Sequence, residues 1–345
     1  HAGSGRAVTM VSADLADAGA YGRVLRDAAG EVTGVVEAQD ATPEQLEITE
    51  INAGIFVFDR AALTSALGQV GSKNAQGEMY LPDTLPLVGG PIGALRSADP
   101  DVVAGVNTRV DLASCEATIQ ARLREELMLG GVTMPDPSGV YVDHDVTVGQ
   151  DTVLLPGVHL RSGTTVGEGC SIGPDCVLEA CVVGDGASVT AAHAFSSEIG
   201  PGAQVGPFAY LRPGTRLAES GKIGTFVETK NARIGRKAKV PHLSYMGDVE
   251  IGEGSNIGAG NITANYDGFR KHATKIGARV KTGSDCVFVA PVTLGDDVMT
   301  GAGSIITDDV PDGALGIARA RQAVIEGFTA KATAKAKAAN DSGGH

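Results

Sequence analysis

The stretch Val148–Gly173, "VGQDTVLLPGVHLRSGTTVGEGCSIG", decides the fold. Its aliphatic residues Val148, Leu154, Leu160, Val166 and Ile172 recur every six positions. Six is neither the helical period nor the strand alternation of two. It is the repeat of a parallel β-helix, where one aliphatic side chain per side enters a narrow core and small residues turn the corners. A second unbroken register runs Ile276, Thr282, Phe288, Leu294, Thr300, Ile306. Between them the pairing of an aliphatic residue with Gly recurs, for example at Ile199-Gly200, Ile223-Gly224 and Ile251-Gly252. Twelve such pairs between 148 and 295 set aside a Gly-rich sandwich with scattered Val-Gly pairs. The register is expected to slip near 180, 230 and 245.

Composition agrees. The chain has 345 residues and is 43% hydrophobic but only 4% aromatic, so its core must be aliphatic. Gly occurs 48 times without the every-third spacing of collagen. A net charge of −13 argues against nucleic acid or an anionic membrane as a general partner. It leaves room for a local basic cluster that binds phosphate. Cys115, Cys170, Cys176, Cys181 and Cys286 are odd in number and form no C-x-x-C. A disulfide framework or zinc cage is not expected, and a reduced cytoplasmic setting fits. No apolar run reaches the roughly 20 residues of a membrane span. No signal-peptide pattern is present.

Before the repeats, residues 1–109 read as mixed α/β. "RAVTMVSADL" and "NAGIFVFDR" have strand alternation and "RAALTSALGQV" has helical spacing. Residues 110–131 read as a linker helix closed by Gly130-Gly131. The β-helix is assigned to 132–320, and 321–345 to an Ala/Lys-rich tail, either a frayed helix or disordered. The chain opens on His1 and runs at once into a strand, so an N-terminal segment is expected to be missing.

Hexapeptide repeats of this kind resemble the left-handed parallel β-helix of acyltransferases. The likeness extends further. "PFAYLRPGT", "FVETKNARIG", "VPHLSYMGD", "NIGAGNITANYDG" and "GSDCVFVAPVTLG" follow in that order, after "YGRV", "VVEAQDAT", "INAGIFVFD" and "GVNTR". Together they resemble the bacterial bifunctional N-acetylglucosamine-1-phosphate uridyltransferase/glucosamine-1-phosphate N-acetyltransferases, in an actinobacterial form. The resemblance covers nearly the whole chain. It implies a fragment of a Rossmann-like nucleotidyltransferase domain, the linker helix and then the β-helix. It also implies a cytoplasmic homotrimer with sites between subunits.

The implied reaction moves acetyl from acetyl-CoA to the amine of glucosamine 1-phosphate, an intermediate of cell-wall precursor synthesis. The amine must lose a proton, and a neutral imidazole is suited to take it. By resemblance His242 is the general base, and Glu228 is the candidate to fix its tautomer. Arg212 and Lys230 lie eighteen residues apart, each one position after a core site, so they should stack on adjacent coils and point outward. The resemblance assigns both to the sugar phosphate and Tyr245 and Asn256 to the sugar. Lys271, in the register break "DGFRKHAT", is placed to reach a neighbouring subunit. The backbone N–H of Ala259, between two glycines, matches an oxyanion donor. Asn265, Tyr266, Ser284, Ala302 and Arg319 match the acetyl-CoA pocket, with Arg319 on a phosphate.

In the first region Gly22, Glu37 and Asn52 match contacts to a UDP-sugar, and Asn107 matches a magnesium ligand. No Gly-rich loop precedes these strands, nor does the Asp that would share the metal with Asn107. This chain alone is therefore expected not to transfer uridylyl groups from UTP, although the full-length protein should. Three other readings are open. In one, a sugar-1-phosphate nucleotidyltransferase carries a merely oligomerising β-helix, which would not need the "PHLSY" and "NYDG" sets. A zinc hydratase needs clustered His, whereas His242 and His272 are far apart in sequence. A structural solenoid would show outward Thr ladders.

Overall fold

The computed structural model describes residues 1–72 and 74–342. Contacts divide the chain into two compact units, His1–Ile119 and Gln120 onward, the division falling inside one long helix.

The first unit is built on a five-stranded sheet. Its strands are β1 (Val8–Asp14), β2 (Arg23–Arg26), β3 (Val32–Val36), β4 (Glu50–Phe58) and β5 (Ile92–Ser97), in the order β3-β2-β4-β1-β5. β1 runs antiparallel to β4 and parallel to β5. Alternate residues Val8 and Met10 are fully buried with Leu85, as the alternation requires. Helix α1 (Pro43–Leu46) is a single turn closed by a capping box from Thr42 and Gln45. Helix α2 (Arg60–Leu67) is capped by Asp59. Helix α3 (Arg109–Leu129) ends at Gly130-Gly131, Gly131 being left-handed.

The second unit is a parallel β-helix of about ten coils, each with three sides. Side one carries Ser171–Ile172, Ser188–Val189, Gln204–Val205, Lys222–Thr225 and Lys239–His242. Side two carries Cys176–Glu179, Ala192–Phe195, Ala209–Leu211 and the first halves of Glu228–Ile234 and Tyr245–Ile251. Side three carries Glu198–Ile199, Arg216–Leu217 and the second halves of those two long strands. Leu154, Leu160, Ile172, Leu211, Ile223 and Phe288 are almost wholly buried along the axis. This filled core is what holds the coils together.

The core register slips where expected, from Leu178 to Val183, Thr229 to Ile234 and Met246 to Ile251. Besides the insertion between Thr263 and Ile276 that carries Lys271, it slips by one residue twice more, from Val189 to Ala194 and Ala194 to Ile199. In each case a single left-handed residue turns the corner: Ala180, Ser196, Asn231 or Asp248 beside the second and third sides, and Ala191 beside the first. Helix α4 (Phe328–Ser342) takes up most of the tail; the expectation for residues 343–345 lies outside the described residues.

Candidate active site

The strand Lys239–His242 is the last of the six-stranded sheet on side one, which single bridges then continue, and His242 sits at its exit. The next residue, Leu243, turns the corner with φ +49°. Phe226 and Phe208 occupy the same corner one and two coils earlier, with φ +56° and +55°. Their rings stack at 5.5 Å and 11°. Left-handed backbone at bulky residues costs roughly 1–3 kcal/mol each, yet all three side chains stand 58–62% exposed. They form an apolar ridge leading to His242.

Ahead of the ridge, the donor residues form one column. Gly260 N–H donates to the His242 carbonyl (3.3 Å), so the Gly258–Gly260 turn lies one coil beyond His242. Asp285 N–H donates to the Ala259 carbonyl and Gly303 N–H to the Ser284 carbonyl, both at 2.8 Å. Arg319 Nη1 donates to the Ala302 carbonyl at 2.8 Å. His242, Ala259, Ser284, Ala302 and Arg319 therefore follow one another along a single edge. The amides beside Ala259 are spent, Gly258 on Thr282 Oγ1 (2.8 Å) and Gly260 on His242. Among the described residues, the Ala259 N–H itself makes no hydrogen bond.

Side two holds the cations. Leu211 pairs with Thr229, both buried, which puts Arg212 and Lys230 on adjacent coils facing outward. Arg212 Nη1 is 2.9 Å from Glu228 Oε1. That carboxylate holds the guanidinium above its ordinary range. No hydrogen bond joins Glu228 to His242, the partner expected for it. Glu228 pairs in register with Tyr245, whereas His242 pairs with Thr225 before the corner. Among the described residues the His242 ring has no hydrogen-bond partner.

Lys271 lies beside Lys230 and pushes its amine below the ordinary lysine range; burial and Arg212 add to the push, and Asp248 opposes it. Lys271 is carried by a hairpin in which Tyr266 pairs antiparallel with it. Asp267 closes the hairpin: Oδ1 accepts Phe269 N–H (2.7 Å) and Arg270 N–H (2.6 Å), and Oδ2 lies 2.7 Å from His272 Nε2. These ties, the backbone bond from Arg270 first, hold the Asp267 carboxyl down at about 2.

Asp248 is a hub that sequence reasoning missed. It accepts Asn231 Nδ2 (2.9 Å) and Asn265 Nδ2 (2.5 Å). The only sequence signal is an Asn and an Asp one coil apart at a corner, residue types that tolerate left-handed backbone. Tyr245 folds across Gly247 against Asn265. Asn265 thus joins the side-two cluster rather than the Ala259 column, and the Tyr266 hydroxyl is spent on Gly268 O (2.6 Å). Asn256 lies apart from Tyr245, on side one between Lys239 and Lys281.

In the first unit, Gly22, Glu37 and Asn52 adjoin. Asn52 N–H donates to the Gly22 carbonyl (2.8 Å), and a Cβ on Gly22 would lie 3.2 Å from Glu37 Oε1. Burial pushes the Glu37 carboxyl up, helped by Asp83 and Asp40. Asn107 offers one amide oxygen, while Asp111 beside it is occupied by the Asn107 and Thr108 amides. Magnesium favours carboxylate oxygens. Among the described residues no group of three or more His, Cys, Asp or Glu is placed to hold a metal. These residues do not fit a magnesium site by themselves.

Comparison with known proteins gives the following. The bacterial transferase hexapeptide family (six repeats) matches residues 145–180. The chain is 52% identical over 335 residues to the bifunctional protein GlmU of Mycolicibacterium gilvum, covering 96% of this chain and 67% of the relative. It is 50% identical over 334 residues to that of Corynebacterium efficiens, covering 96% and 69%. It thus spans about two thirds of these relatives' length. Among solved structures, the UDP-N-acetylglucosamine acyltransferase LpxA of Bacteroides fragilis matches at 14% identity and TM-score 0.29, over 50% of this chain and 68% of that one. The N-acyltransferase AntD of Bacillus cereus matches at 13% and 0.20, over 63% and 96%. Among the described residues no helix is long and apolar enough to cross a membrane.

Proposed function

The chain belongs to the family of the bifunctional protein GlmU, and we propose from that premise that its β-helix transfers acetyl from acetyl-CoA to the 2-amine of glucosamine 1-phosphate. The observation that carries this reading is the edge His242–Ala259–Ser284–Ala302–Arg319, with cations standing around the corner on side two. An imidazole nitrogen of His242 takes a proton from the substrate ammonium. The freed amine attacks the thioester carbonyl, and the Ala259 N–H receives the developing oxyanion. As the new C–N bond forms and the C–S bond breaks, the nitrogen gives up its second surplus proton to solvent, and the thiolate leaves with the proton returned from the imidazolium. Small residues at Ser284 and Ala302 leave room for the pantetheine arm, and Arg319 is near enough to meet a phosphate.

Arg212, Lys230 and Lys271 take the sugar phosphate. A dianion between Lys230 and Lys271 removes the repulsion that lowers the Lys230 amine. Tyr245 and Asn265 then contact the acceptor. The uridylyl transfer that completes UDP-N-acetylglucosamine is assigned to the family's other half, with Gly22, Glu37 and Asn52 as this chain's contacts to it. No step through magnesium is derived, because the residues here do not fit it. A cytoplasmic homotrimer is part of the proposal. It is supported by the strained, exposed ridge of Phe208, Phe226 and Leu243, which a second copy would cover.

The test is thiol release from acetyl-CoA with glucosamine 1-phosphate, the parent run beside His242→Ala. Loss of roughly 10²–10⁴-fold in kcat is expected. Undiminished activity in the variant would remove His242 from the reaction. A folded but inactive parent would favour the oligomerising β-helix.

A further inference from the structure

Outward cations on these coils are usually opposed by a carboxylate on the adjacent coil. Arg161 faces Glu179 at 3.2 Å, Arg216 faces Glu198 at 3.3 Å and Arg233 faces Glu250 at 3.5 Å. Side one breaks this habit. Lys222 pairs in register with Lys239, Lys239 bridges to Asn256, and Asn256 bridges to Lys281. Among the described residues none of these lysines has an ion-pair partner. Coils of a sheet are about 4.8 Å apart, and like charges directly opposite one another destabilise a sheet. In a chain of net charge −13, an unneutralised lysine column needs an anion to account for it.

Its position says which anion. The column is uncharged below, at Ser188 and Gln204, and above, at Met299. It is charged only beside the reacting edge. Lys239 stands three residues before His242, Asn256 three before Ala259 and Lys281 three before Ser284. A strand of that length spans about 10 Å, and a lysine stem shortens the remaining gap. The acceptor's one phosphate is met by the side-two cations, on the other flank of the corner.

We infer that Lys239 and Lys281, with Lys222 behind them, form a track on side one for the phosphates of the acyl donor, separate from Arg319. This rests on the acetyl-transfer reading above. The track recognises the phosphorylated end of coenzyme A and makes no contact with the acetyl group or pantetheine.

The test compares two donors, acetyl-CoA and acetyl-pantetheine, which lacks the phosphates. Lys239→Gln, Lys281→Gln and the double variant are assayed for thiol release, and their affinity for CoA is measured by calorimetry. Each single change is expected to lower kcat/KM for acetyl-CoA about tenfold, with about a tenfold weaker Kd for CoA. Values for acetyl-pantetheine should stay within about twofold of the parent. Equal losses with both donors, or unchanged CoA affinity, overturn the track. An inactive parent would sink the acetyl-transfer reading, and CoA affinity would still decide the track: a weakening confined to the lysine variants upholds it, and none overturns it.

Discussion

Replacing Gly247 by Ala should damage the acceptor side of the site more than the fold. A Cβ there would fall 2.6 Å from Tyr245 Cζ and 2.7 Å from Asn265 Nδ2, inside the 3.4 Å where ordinary contact begins. The backbone cannot retreat. Gly247 N–H donates to Thr263 Oγ1 at 2.8 Å, and that hydroxyl donates to the Gly247 carbonyl at 2.9 Å. Thr263 is itself buried in the coil core. The side chains must give way instead: Tyr245 swings off the surface and Asn265 leaves Asp248. Overpacking that a partly exposed ring can relieve costs at the low end of about 1–3 kcal/mol. Loss of the Asn265–Asp248 bond, which is charge-assisted, is worth about 1.5–3 kcal/mol. Expressed on the reaction, that is a fall of roughly 10–100-fold in kcat/KM for glucosamine 1-phosphate. Initial rates of thiol release against sugar-phosphate concentration measure it, with a urea melt on the same protein. A variant within about twofold of the parent would show that neither Tyr245 nor Asn265 engages the acceptor.

Other outcomes follow from the same geometry. Glu228→Gln releases Arg212 from its 2.9 Å partner, so KM for the sugar phosphate should fall while kcat changes less than about threefold. A larger loss in kcat would return Glu228 to His242. Phe288→Ala empties one of the largest fully buried positions on the coil axis and should cost roughly 3–5 kcal/mol by denaturant unfolding. The Asp267 carboxyl is held at about 2 against an ordinary 3.8. A depressed carboxylate adds stability above its unfolded range and loses it as pH falls through the folded value. The Phe269 and Arg270 amides should therefore stay protected in hydrogen exchange until pH nears 2, and early loss near 4 would contradict the hairpin closure.

The sequence by itself determined the β-helix, because the buried positions recur every six residues and most of them are aliphatic. It also determined that Arg212 and Lys230 stack, since their neighbours Leu211 and Thr229 are core positions one coil apart. The two slips around Ala194 escaped it, because a small residue in the core leaves no hydrophobic mark. The order of motifs showed the family and named His242, but it did not divide those residues between sides. The spacing of eighteen already put Ser284 and Ala302 on one face, but only the tertiary structure gave Glu228 to Arg212, put Asn265 with Asp248 and joined that face through Ala259 to the edge that begins at His242. Core positions repeat in sequence, whereas outward side chains choose partners across coils. That choice depends on which corner turns with one residue fewer, and such corners are decided by backbone conformation rather than by pattern.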